Sequence, residues 1–389
     1  MRAVALTASL LFMGGCNADL VVLRDQASPD AGLGPAFEAP LGNWTLSVAV
    51  EHSCAISGGA LYCWGSGADG RLGTGTGIGD VAPVRVSTST DWALVTTGDA
   101  HSCALNRAGR VFCAGANAAG QLGIGDTRLR KLLAPVGLPE PARDVQARAN
   151  HTCAVLQSGA LWCWGANGEG QLGLGDTFPG ADQPSPVLVP GGAQWRTVAP
   201  GQGHTCGIQR DGSLWCWGRN SGQNLGLGPG APMQLRVPQR VGTDTDWDAV
   251  VSTVDGSCAL RSDHSLWCWG TDPGRAQSFA APTQSGTDTD WGLIRIDVYH
   301  ACALKLSGAL FCRGRGSEGQ LGRANLEPSP DFVAIEPAQR YSAVSVGRYH
   351  TCARSSAGVV SCTGKNDIGQ LGVGDQQLRK VLTEVRPFP

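Results

Sequence analysis

Fourteen of the fifteen cysteines fall into seven pairs, and six of the seven histidines stand two residues before the first cysteine of a pair. The copies read His52-Ser-Cys54, His101-Ser-Cys103, His151-Thr-Cys153, His204-Thr-Cys206, Gly256-Ser-Cys258, His300-Ala-Cys302 and His350-Thr-Cys352. Each is answered by a second cysteine, at Cys63, Cys113, Cys163, Cys216, Cys268, Cys312 and Cys362, nine residues on in the first copy and ten in the others. Residues i and i+2 of a strand share a face, so His, Cys and the opposing Cys would converge like three ligands of a zinc site. In an exported chain the same two cysteines would instead oxidise to a disulfide. Gly256 favours the second reading, because it removes the imidazole from the fifth copy while Cys258 and Cys268 remain. We expect seven disulfides, no metal, and histidines that pack, each facing a glycine such as Gly115 or Gly165 across a hairpin.

Spacing supports the pairing. Gly58-Gly59 suits a two-residue hairpin loop, after which Ser57/Ala60, Ile56/Leu61, Ala55/Tyr62 and Cys54/Cys63 stand opposite each other. One extra residue in the other copies demands a three-residue loop with a left-handed third position, held by Gly109, Gly159, Gly212, Gly308 and Gly358, and by His264 in the fifth copy. Counting outward from either loop places the cysteines at a non-hydrogen-bonded pair, about 4.5 Å between Cα atoms.

No set of residues reads as a catalytic centre, since seven equivalent positions around a ring cannot converge on one substrate. Gly125-Asp126, Gly175-Asp176 and Gly374-Asp375 recur without a following Lys-Ser/Thr and read as turns, not phosphate cradles. Asp91-Trp92, Asp246-Trp247 and Asp290-Trp291 recur as well and belong to the scaffold. No serine occupies a strand-to-helix elbow. No cofactor is expected.

The elements that position these residues are short strands. Upstream of each histidine position runs a strand marked by Trp92, Trp195, Trp247, Trp291 or Tyr341 and by Val95, Val145, Val198, Val250, Ile294 or Val344. Downstream come Gly-Gln-Leu-Gly loops at 120–123, 170–173, 319–322 and 369–372, then β-branched runs such as Pro83-Val-Arg-Val86 and Pro186-Val-Leu-Val189. Each copy is thus four strands, and Trp162 and Trp164 on the face opposite Cys163 require cover on both sides of the sheet. Radial stacking supplies that cover. The expected fold is all-β, a seven-bladed β-propeller of four-stranded antiparallel blades with one cross-strand disulfide in each.

Composition agrees. The chain has 389 residues, 56 of them glycine, and 30 basic against 32 acidic side chains for a net charge of −2. Nothing in that balance suits nucleic acid. At the N-terminus, Arg2, an apolar run from Ala3 to Met13 and Gly14-Gly15-Cys16 resemble a bacterial lipoprotein signal. The run is shorter than a membrane-spanning helix needs. Residues 1–15 are expected to be removed, Cys16 to carry the lipid, residues 16–40 to form a tether with Pro29, Pro35 and Pro40, and 41–389 to form the propeller. Asn17 after the cysteine directs such proteins to the outer membrane by default. Simple secretion is the alternative.

The string His-Thr-Cys-Ala-Val, then Gly-Ala-Leu-Trp-Cys-Trp-Gly-Ala-Asn, then Gly-Gln-Leu-Gly-Leu-Gly-Asp, over residues 151–176, closely resembles the regulator of chromosome condensation repeat. The resemblance spans about 44 to 386 and implies a seven-bladed propeller. Similar propellers serve as guanine-nucleotide exchange factors, as chromatin-bound proteins and as secreted inhibitors of β-lactamase. We expect a monomeric, non-catalytic module that binds a protein partner through loops on one face and meets the membrane only through the lipid on Cys16. An exchange-factor-like regulator and a glycan-binding or glycan-active propeller are the alternatives. Departures from the repeat nominate Phe178 in the longer third-copy loop, Met233 in the expanded fourth, and Tyr299 and Tyr349 beside the repeat histidines as binding residues.

Overall fold

The computed structural model describes residues 45–192, 194–272 and 277–388. The expected signal peptide, Cys16 and the tether lie outside the described residues. From Leu46 to Glu384 the chain forms seven four-stranded antiparallel sheets, each made of four consecutive strands. Blades 1 to 7 span 46–85, 92–135, 142–188, 195–240, 247–284, 291–335 and 341–384. The first strands of neighbouring blades contact one another around the axis, and the last strands lie outermost, half-buried or exposed along their length in blades 2 and 7.

All seven disulfides are present, each joining the second and third strands of its own blade with Cα atoms 4.1 Å apart. The register Cys54↔Cys63, Ala55↔Tyr62 and Ile56↔Leu61 follows from the Gly58-Gly59 loop, where φ is 57° and 79°. Since every sulfur of the seven hairpins is bonded to another sulfur, none is a thiolate ligand, and the zinc reading is overturned. Each histidine faces the expected glycine, as in His151↔Gly165 and His101↔Gly115.

The histidines do more than pack, because each is half of a latch between blades. His101 Nε2 lies 3.0 Å from Thr152 Oγ1 of the next blade, whose hydroxyl donates to the Gln121 carbonyl at 2.9 Å. Trp164 Nε1, from that same next blade, donates to the same carbonyl at 3.0 Å. The Gly-Gln-Leu-Gly loop is therefore the strike plate on which the following blade closes. Its second glycine has to be glycine: a Cβ on Gly123 would stand 2.6 Å from the Trp164 indole nitrogen.

The same latch closes the ring. Ser53 Oγ and Trp64 Nε1 of blade 1 donate to the Gln370 carbonyl of blade 7 at 2.9 and 3.0 Å, and His350 Nε2 lies 3.1 Å from Ser53 Oγ. Among the described residues no strand is exchanged between the two blades. Phe388, beyond the last strand, packs on Tyr62 with centroids 5.1 Å apart.

One interface is built otherwise. Where blade 5 has Gly256 instead of histidine, blade 6 has Ala301 instead of the hydroxyl, so donor and acceptor vanish together. Arg313 occupies the place of the latch tryptophan, fully buried. It ion-pairs with Asp272 of blade 5, donates to Ser285 Oγ at 2.9 Å and lies 4.7 Å over the Phe332 ring. A buried ion pair with further hydrogen bonds stands in for a neutral latch.

Candidate binding face

With antiparallel strands alternating, the connection between first and second strands and that between third and fourth strands emerge at the same end of the propeller. All four nominated residues lie at that end. Tyr299 and Tyr349, 50 residues apart in sequence, meet there across the interface of blades 6 and 7, ring centroids 5.4 Å apart and planes 34° apart. Arg315 lies 5.2 Å over the Tyr299 ring, and Lys365 lies 5.4 Å over that of Tyr349. Lys365 is held by Asp367 at 2.8 Å, and Arg315 approaches Glu318 at 4.0 Å. Burial, then the bond to Tyr299, raises the Tyr349 phenol above its ordinary value. Both rings are half-buried. In blades 1 to 5 the equivalent position holds Glu51, Ala100, Asn150, Gly203 and Asp255, so the scaffold does not require an aromatic there.

The structure does not bring the other two candidates to this patch. Met233 is 65% exposed on blade 4, and its carbonyl accepts from Asn220 N at 2.8 Å. Phe178 is partly buried against the core shared by blades 3 and 4, with its carbonyl bonded to Asn167 Nδ2 at 3.0 Å. Its ring fills the base of the longer loop and is not a projecting anchor.

A group of charges in the axial channel escaped the sequence reading. Arg148 of blade 3 ion-pairs with Asp297 of blade 6. Below them, Asp144 accepts from Gln146 at 2.7 Å and from Thr197 at 3.3 Å. Burial raises its carboxyl to about 6 despite those bonds and the nearby Arg143. Burial likewise lowers the Arg295 guanidinium to about 10, with Asp144 opposing the shift. The space left in the axis, about 80 Å³, suits water rather than a substrate. The Arg148–Asp297 pair ties blade 3 to blade 6. A signal did exist: three residues before each histidine position stand Ala49, Gly98, Arg148, Gly201, Thr253, Asp297 and Gly347. Two opposite charges in a column of small residues mark a pair.

Two models described as the regulator of chromosome condensation (RCC1) repeat match the chain, one at residues 58–105, 158–208 and 307–354, the other at 92–121, 144–171 and 195–223. Among solved structures, yeast RCC1 (Prp20) bound to Kap60 is similar at TM-score 0.76 and 19% identity, covering 94% of this chain and 91% of that one. Human WBSCR16 is similar at TM-score 0.69 and 21% identity, over 78% and 83% of the two chains. The ectodomain of the Physcomitrella patens receptor kinase CR4 is similar at TM-score 0.53 and 16% identity, over 82% and 72%. A search of curated proteins finds no match.

Proposed function

Because this chain is a member of the RCC1-repeat family and folds as its seven-bladed propeller, we propose that it is a non-catalytic protein-binding module that works outside the cytoplasm. It is held to a bacterial cell envelope, at the outer membrane, by a lipid on Cys16. The observation that carries the binding role is the Tyr299–Tyr349 pair, two aromatic side chains that the repeat does not need, assembled by adjacent blades and flanked by Arg315 and Lys365. Tyrosine and arginine dominate the energetics of protein interfaces, and a rigid ring of blades presents them with little ordering cost. The seven disulfides support an oxidising compartment. Structures of similar fold support the rest: that of Prp20p was described with its binding to Gsp1p and histones, both proteins, and the CR4 domain is an ectodomain.

Capture from envelope and secreted extracts of the source cell, with oxidised chain from residue 17 as bait, tests this reading. A near-stoichiometric protein should be retained at moderate salt. Tyr299→Ala/Tyr349→Ala should lower its recovery at least tenfold, as expected for loss of two interface anchors. Val359→Ser, at the opposite end of blade 7, should leave recovery unchanged. Equal recovery by the double variant, or no retained protein, would contradict the proposal.

A further inference from the structure

We propose that blade 4 carries a binding pocket for a weakly hydrated organic cation, a quaternary ammonium group, in the place where blades 5 and 6 seat a cation of their own. In blade 5, Arg261 lies over two indoles, 4.5 Å from Trp247 and 4.2 Å from Trp267. In blade 6, Lys305 lies 4.6 Å from the Trp291 ring and 5.4 Å from that of Phe311. Both cations come from the position three residues after the first cysteine, and both are held by aspartates just before the first tryptophan. Lys305 Nζ is 2.6 Å from Asp288 and from Asp290, and Arg261 pairs with Asp244 and Asp246.

Blade 4 keeps the two rings and loses every charge of this set. Trp195 and Trp215 occupy the tryptophan positions, while Gln209 stands for the cation and Gly192 and Gln194 stand for the aspartates. The second indole is mounted as in blade 5: Trp215 Nε1 donates to Ser213 Oγ at 2.8 Å, and Trp267 Nε1 donates to Ser265 Oγ at 2.9 Å. What remains is a cavity of about 300 Å³ lined by both tryptophans, Gln209, Pro190, Val237 and Pro238. Arg210, next to Gln209, donates to the Gln157 carbonyl at 3.4 Å.

The sister blades show that this pair of ring positions accepts a guanidinium or an ammonium ion. Without the aspartates, a strongly hydrated primary ammonium ion would lose its water uncompensated, whereas a quaternary ammonium ion holds water weakly and gains from aromatic faces. The same group occurs on choline headgroups and on trimethylated lysine.

Calorimetric titration of the intact oxidised chain with choline chloride tests the assignment. Choline should bind, with ethanolamine and the neutral isostere 3,3-dimethylbutanol at least tenfold weaker. Trp215→Ala should lower choline affinity at least tenfold. Gln209→Arg, which supplies the sister blade's own occupant, should abolish choline binding without unfolding the chain, as melting curves would verify. Glycerophosphocholine and Nε-trimethyl-lysine, titrated in parallel, identify the natural source by the tighter of the two. No heat with choline, equal affinity for the neutral isostere, or undiminished binding by a folded Gln209→Arg chain would overturn the proposal.

Discussion

Reducing all seven disulfides lowers the melting temperature by roughly 15 °C or more. Each bond closes a hairpin of nine or ten residues, which in the chain-entropy model constrains the unfolded state by about 2.5–3 kcal/mol at most. Even half of the summed value is a large part of what holds a domain folded. The sulfurs are almost wholly buried, so reductant alone should act slowly, and reduction under denaturant followed by refolding is the informative comparison. Calorimetric scans of the oxidised chain and of the reduced, alkylated chain check this. Coincident scans would show that the bonds contribute nothing.

Acid is the second large effect. Burial holds the neutral imidazoles of His101 and His300 to about 4 and those of His151, His204 and His350 to about 3, and it keeps His52 well below its ordinary value. In the unfolded chain each would titrate near 6.5. The folded values are depressed, so the unfolded state binds more protons, and stability is full above pH 6.5 and lost as pH falls toward the folded values. At pH 5 each of the five histidines held at about 3 or 4 costs about 2 kcal/mol, an upper bound for groups acting independently, and His52 acts in the same direction. Asp144 acts the other way. Its folded value of about 6 lies above the usual 3.8, so it gains stability as pH falls through 6 and offsets about one histidine. Denaturant midpoints at pH 8 and pH 5 should differ sharply, and His101→Gln should flatten the difference in part. Equal midpoints would contradict the buried latch.

The repeat made most of the fold legible. Cysteine spacing, the glycine at each loop's third position and the alternation around Trp162 and Trp164 determine strand pairing, register and blade number. Ring closure was not legible, because the Ser53 and Trp64 contacts to Gln370 join residues some 300 positions apart that no local pattern links. The histidine's role was only half read: the facing glycine is visible within one copy, but the hydroxyl of the next blade is visible only when copies are compared in pairs. Gly256 with Ala301 makes that comparison in a single line of sequence. The candidate face fared unevenly, since Tyr299 and Tyr349 share one repeat position and therefore converge. Phe178 and Met233 stand out only by loop length, which does not determine where a side chain points.

The recurring Asp-Trp dipeptides gain a reason from the structure. Asp246 and Asp290 hold the cations that cover their own tryptophans, and Asp91 accepts from Asn106 Nδ2 at 3.0 Å. Scaffold chemistry of this kind also shows where the scaffold has been altered, as in the uncharged pocket of blade 4.

We propose an exported, disulfide-stapled binding platform, not a cytosolic regulator of a GTPase. Thiol trapping in source cells, combined with fractionation and mass measurement of the mature N-terminus, tests it most directly. The fourteen hairpin cysteines should resist alkylation, and the chain should sediment with the envelope and begin at an acylated Cys16. Cytosolic chain with freely alkylated cysteines would contradict it and favour the exchange-factor reading.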